Sequence, residues 1–302
     1  FIQYAMQIII SFLFIAMMFI FLPRAAVSMG RVGEILKKEI SITDKENTQE
    51  IRDKCGVVEF KNVSFRYADA EDAVLSDISF TARSGETTAF IGSTGSGKTT
   101  LVNLIPRFFD VTEGSITIDG VDIRDMKQHE LREMIGYVPQ KGMLFSGDIK
   151  SNIAYGAEDK SFENIKRAAE VAQAEDFIME KEEGFDAPVA QGGTNVSGGQ
   201  KQRLSIARAL AKKAPIYIFD DSFSALDFKT DAALRKELKK SAGESTLLIV
   251  AQRISTIADA DQIIVLNEGR IAGKGTHKEL MQTCGVYREI ASSQLDSGKG
   301  EM

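Results

Sequence analysis

The sequence contains no tryptophan, two cysteines, two histidines and five prolines among 302 residues. Cys55 and Cys284 lie far apart and in no metal-ligand spacing, which excludes a disulfide framework and a zinc site and suits a reducing cytosol. His129 and His277 are isolated, and each reads as an ordinary surface or core histidine. Excess basic charge is missing too. The formal net charge is -6 and the pI near 5.3, which argues against nucleic acid as the main partner, because that partner calls for a basic face. There is no internal repeat or low-complexity tract. With 43% hydrophobic residues the chain can bury the cores of one or two domains.

One absence is local. Residues 1–22, FIQYAMQIIISFLFIAMMFIFL, carry no charge. At about 1.5 Å per residue this run spans the roughly 30 Å hydrocarbon core of a bilayer. A charged leader and a small-residue cleavage site are lacking, which argues against a signal peptide. The expectation is a transmembrane helix over 1–23, with a buried core helix as the alternative. Arg24, Arg31, Lys37 and Lys38 follow at once and place the C-terminal side in the cytoplasm. Because the chain opens on Phe1, it is expected to be the C-terminal piece of a longer product of the cell membrane. Residues 24–54 read as a connecting helix, with Val32, Ile35, Leu36 and Ile40 near one face, followed by a polar, solvated linker. Residues 293–302 are expected to be a flexible tail.

The remainder is organised around Gly92-Ser93-Thr94-Gly95-Ser96-Gly97-Lys98-Thr99, which fits G-x-x-x-x-G-K-[ST]. A triphosphate needs backbone N–H groups brought close to its oxygens, and glycines permit that approach. Lys98 adds a positive charge near the β/γ-phosphates, Thr99 offers a hydroxyl to Mg²⁺, and Thr100 follows at the same site. The preceding Thr87–Ile91 reads as a buried strand, and Leu101, Val102, Leu104 and Ile105 as a buried helix face.

Short strands are expected at 57–60 and 63–65, then a β-rich run to Thr81 and a strand and turn over 113–120. Helical patterns cover 162–179 and 199–213. A strand at 216–219, a helix from Lys229 and a strand at 246–250 complete an alternation that implies a mainly parallel α/β sheet with a small antiparallel flank. Asp220 ends its apolar strand as a carboxylate able to help hold Mg²⁺ near Thr99. Ser197 can cap the helix after Val196-Ser197-Gly198-Gly199-Gln200, and its glycines expose amides, making a second anion site. Two such features in one domain suggest a dimer in which each site joins the loop of one subunit to this helix end of the other.

Together these motifs resemble the nucleotide-binding domain of an ABC transporter, more narrowly an exporter half-transporter. The resemblance covers about residues 1–292 and implies a P-loop NTPase (RecA-like) α/β core over 55–292, with an inserted helical subdomain at about 141–213. Val196–Gln200 resembles the signature motif, with Val196 for the usual Leu. Tyr67 falls at the adenine-stacking aromatic, Gln140 at the glutamine that contacts Mg²⁺, and Ser224-Ala225-Leu226-Asp227 at the D-loop. Two positions depart from the pattern. Asp221 stands where the family usually has a catalytic Glu, and Gln252 where it has a switch-loop His. Gln191 also replaces an acidic residue in the loop before the signature.

Shortening Glu to Asp withdraws the carboxylate by one methylene, and a misplacement of roughly 1 Å can cost about a hundredfold in rate. Gln252 can hydrogen-bond a γ-phosphate but cannot carry an imidazolium charge. The resemblance therefore implies an ATP- and Mg²⁺-dependent exporter subunit with a slow site of its own, paired with a second half-transporter in a head-to-tail heterodimer. Its cargo would be a small molecule, lipid or peptide. A homodimer with Asp221 as a working base and a non-transport ABC ATPase remain the alternatives.

Overall fold

The computed structural model describes residues 1–68 and 70–297. The chain divides into two compact units, residues 1–43 and residues from 44 onward.

The first unit is dominated by α1 (Ile2–Lys37), 36 residues and so ~54 Å long. None of its residues is buried, and an 18-residue stretch reaches a mean hydropathy of 2.6. It is long and apolar enough to cross a membrane. The helix passes through Pro23 without ending, so the expected connecting helix is the last part of α1.

The linker that opens the second unit is exposed to solvent and tied to the domain by hydrogen bonds: Gln128 donates to Asp44 Oδ1 through its backbone N–H (3.1 Å) and its side-chain amide (3.0 Å). Lys45 pairs with Asp125, and Gln49 N–H donates to Asp125 O at 2.7 Å.

The unit opens with β1 (Val58–Phe65), β2 (Leu75–Ala82), β3 (Thr87–Gly92), α2 (Lys98–Leu104), β4 (Glu113–Ile118) and β5 (Val121–Asp122). Then come α3 (Gln128–Glu133), β6 (Ile135–Val138), β7 (Gly147–Asp148), α4 (Ile149–Ala154), α5 (Phe162–Val171), α6 (Glu175–Met179) and β8 (Pro188–Val189). The chain continues with α7 (Gly198–Ala211), β9 (Ile216–Asp220), α8 (Phe228–Ser241), β10 (Thr246–Val250) and α9 (Ile254–Ile257). It closes with β11 (Gln262–Asn267), β12 (Arg270–Gly275), α10 (His277–Thr283) and α11 (Gly285–Ser297). The expected tail at 293–302 starts inside α11, and residues 298–302 lie outside the described residues.

The central sheet runs β12-β11-β3-β10-β9-β6, parallel except for the β11–β12 hairpin. Both faces are covered, and the strand alternation feeds two cores. Ala89, Ile91, Tyr217, Phe219, Leu247 and Ile249 pack into a core with α5 and α7. Phe90, Ile216, Ile218, Leu248 and Val250 pack into a second with α2 and the antiparallel sheet β2-β1-β4-β5. This is the α/β architecture expected, with helices α4–α7 inserted between β6 and β9.

Two elements differ from the sequence pattern. The short strands expected at 57–60 and 63–65 are one strand, because Asn62 adopts a left-handed φ of 47° at a bulge and pairing resumes beyond it. The helical stretch 162–179 breaks into α5 and α6 at Gln173, whose φ of 55° no helix can continue. After β10, β11 is built on the buried apolar run Ile263-Ile264-Val265-Leu266 and α10 opens on a capping box of Thr276 and Glu279, whereas β12 alternates between exposed and half-buried positions and lacks an apolar face.

Candidate functional site

β3 delivers Gly92 to the loop, and Gly97, at φ 96°, starts α2. A Cβ at Gly92 would run into Leu266 O of β11, and one at Gly97 would lie 2.7 Å from Leu75 Cδ2. The fold itself therefore demands glycine at both ends of the loop. Lys98 Nζ bends back across the loop and donates to Gly92 O and Ser93 O, each at 2.8 Å, with Ser96 Oγ at 3.5 Å. Burial lowers its pKa, and the charges of Asp221 and Asp220 oppose that shift.

Thr99 Oγ1 donates to Asp220 Oδ1 at 2.9 Å. Asp220 ends β9 and is 1% exposed. Burial raises its pKa, the Thr99 hydrogen bond lowers it, neighbouring Asp221 raises it and Lys98 lowers it. A buried carboxylate beside a hydroxyl and next to a phosphate-sized loop fits Mg²⁺, which would relieve the cost of burying that charge.

Asp221 is 7% exposed and sits at φ 48°, anchored by its N–H donating to Val250 O at 3.1 Å. Its Oδ2 accepts two amides, Gln252 Nε2 at 2.6 Å and Gln140 Nε2 at 3.2 Å. The two departures from the family pattern thus meet in one hydrogen bond, with the expected metal-contacting glutamine beside them.

A cleft of about 430 Å³ opens here. It is lined by Gly92, Ser93, Thr94, Gly95, Gly97, Lys98, Thr99 and Thr100, by Gln140, Asp221 and Gln252, and by Val74, Val250, Ile290 and Gln294. Ser96 and Asp220 lie buried behind this wall. Tyr67 is also off the wall, but its hydroxyl is 3.2 Å from Thr100 Oγ1, and its ring makes edge contacts with Phe65 and Phe109. Ile290 and Gln294 escape sequence reasoning, since they come from α11, far along the chain and without a motif.

Ser197 caps α7: its Oγ accepts Gln200 N–H at 3.3 Å, and Gln200 Oε1 accepts Ser197 N–H at 3.2 Å. Ser197, Gly198, Gly199 and Gln200 line no part of the cleft at their own chain's loop. Gly199 lies under Ala225 O, which a Cβ would meet at 3.3 Å, whereas a Cβ at Gly198 would meet nothing within 4 Å.

A glycine loop after β3 whose threonine is tied to the carboxylate ending β9, a parallel strand with β10 between the two, is the arrangement that P-loop NTPases share, and this molecule is one. The capped Ser-Gly-Gly-Gln helix end narrows the class. The sequence model of the family "ABC transporter" matches residues 75–224. An uncharacterized ABC transporter ATP-binding protein of Mycobacterium bovis is 44% identical over 298 residues, 97% of this chain and 51% of that protein. A "Putative multidrug export ATP-binding/permease protein" of Bacillus subtilis is 43% identical over 273 residues, 90% of this chain and 47% of its own length. The structure of a bacterial Atm1-family ABC exporter with ATP bound superposes with a TM-score of 0.84 at 37% identity, covering 90% of this chain and 47% of that one. The chain belongs to the ABC transporter family and carries its ATP-binding ATPase domain. It spans about half the length of the curated relatives it matches.

Proposed function

We propose that the chain is the ATP-binding part of an exporter subunit whose own loop forms a slow, mainly ATP-holding site, while its Ser197–Gln200 helix end completes a faster site on a second, different half-transporter. The observation that carries this is the engagement of Asp221. A base must present a lone pair to a water in line with the γ-phosphate. Here the shorter carboxylate is turned to two amides of its own chain. Lys98 and the loop amides would hold the phosphates, Tyr67 the adenine, and Thr99, Asp220 and Gln140 the Mg²⁺. The ion would neutralise phosphate charge.

Gly198 supports the pairing in trans. This chain's packing leaves open space above it, so the glycine is not demanded by the fold, but close approach of a phosphate in a partner's cleft would demand it. The membrane role rests on α1 and on the exporter names among the relatives.

Steady-state ATPase of the chain in detergent micelles tests the reading, beside Asp221→Glu/Gln252→His and with ATP binding checked in both. The double variant is expected to turn over faster by about tenfold to a hundredfold. Equal rates would make Asp221 an adequate base and a homodimer the better account.

A further inference from the structure

The switch loop that carries Gln252 has an anchor outside every motif of the site. Gln294, on α11, spends both ends of its side-chain amide on that loop. Its Nε2 donates to Gln252 O at 2.7 Å, and its Oε1 accepts Ile254 N–H at 2.8 Å. The two bonds bracket Arg253, whose guanidinium lies 5.1 Å over the exposed ring of Phe228.

The second bond answers a local need. Ile254 is the first residue of α9, a helix of one turn whose N-cap, Arg253, supplies no side-chain hydrogen bond. The leading N–H groups of a helix have no partner within it. Gln294 provides that acceptor from 40 residues away. The first bond fixes the carbonyl of the very residue whose amide reaches Asp221. One turn earlier on α11, Ile290 lines the same cleft. Side chain, loop backbone, Gln252 and Asp221 form a continuous chain of hydrogen bonds from the C-terminal helix to a carboxylate that lines the cleft.

We infer that Gln294 is a positioning residue of the nucleotide site: it sets the reach of Gln252 into the cleft and makes α11 part of the machinery that tells ATP from ADP. The inference rests on the ATP-site reading above. Its specific consequence is selectivity. On that reading the Gln252 amide serves the third phosphate, so loosening its loop weakens a triphosphate and spares a diphosphate.

The test is equilibrium binding to the full chain in detergent micelles, with Mg²⁺ and either ADP or the β,γ-imido analogue of ATP. Gln294→Met keeps the length and packing of the side chain and removes both hydrogen bonds; Gln294→Ala removes the side chain. Both are expected to weaken the analogue by about tenfold, the effect of one to two hydrogen bonds, with ADP changed less than about twofold. In a Gln252→Ala background, adding Gln294→Met is expected to change analogue affinity by less than about twofold, because the residue acts through Gln252.

An unchanged analogue-to-ADP ratio in Gln294→Met and Gln294→Ala overturns the inference. So does a full additional loss in the Gln252→Ala background, which is the mark of a merely structural contact. Lys98→Ala separates the two levels. If wild type binds the analogue, Lys98→Ala loses it and the Gln294 variants do not, only the inference falls. If wild type binds neither nucleotide, or Lys98→Ala is neutral, the ATP-site reading falls and this inference with it.

Discussion

At the scale of residues, the site is a balance of buried charge. Asp220 is nearly sealed from solvent and carries a raised pKa from that burial. A carboxyl whose folded pKa exceeds its unfolded value destabilises the fold as it ionises. The penalty is absent below its ordinary value of 3.8, grows as pH rises through the raised pKa and persists at neutral pH. Asp220→Asn is therefore expected to raise the Tm of the nucleotide-free chain at neutral pH while abolishing Mg²⁺-dependent ATP binding. A lower Tm in a thermal melt would contradict this.

Asp221 is different in kind. Its left-handed φ is one that Asp tolerates better than most side chains. The sequence announces Asp221 and Gln252 as departures from a pattern, because each stands alone at a defined place in a motif. Their mutual hydrogen bond, and that of Gln140, joins side chains 31 and 81 residues apart and is visible only in three dimensions.

At the scale of elements, the strand-loop-helix at Thr87–Leu104 was legible, since local chemistry dictates it: β-branched residues, glycines, then an apolar helical face. So were β9, β10 and the capped start of α7. β11 carries its own signal in the apolar run Ile263–Leu266, but β12 and α11 do not; their places are fixed by pairing with β11 and by contact with the switch loop. The linker at 44–50 is exposed to solvent and also hydrogen-bonds to Asp125 and Gln128, partners some 80 residues along the chain that no local signal announces.

The start of α7 yields a paired prediction. Ser197→Ala removes the cap and is expected to cost about 1 kcal/mol in denaturant unfolding. Gly198→Ala meets open space in this chain and is expected to stay within about 0.5 kcal/mol of wild type, while lowering ATPase of the assembled transporter. A destabilised Gly198→Ala would mean that the glycine serves the fold and not a partner's phosphate.

At the scale of the whole molecule, a helix of 36 residues with no buried position is joined to a domain with two closed cores. The uncharged apolar stretch of the helix, up to Leu22, needs a nonpolar surrounding to hide in. The chain expressed in cells is expected to stay with the membrane fraction through alkaline carbonate washing, and release into the supernatant would favour a non-transport ATPase. The central claim, a site that holds ATP and rarely cleaves it, is met most directly by identifying the retained nucleotide. The full chain in micelles is incubated with Mg²⁺ and ATP, stripped of free nucleotide, and its bound nucleotide analysed over time. The account predicts intact ATP on wild type and ADP on Asp221→Glu/Gln252→His. ADP accumulating on wild type at the rate of the double variant would contradict it.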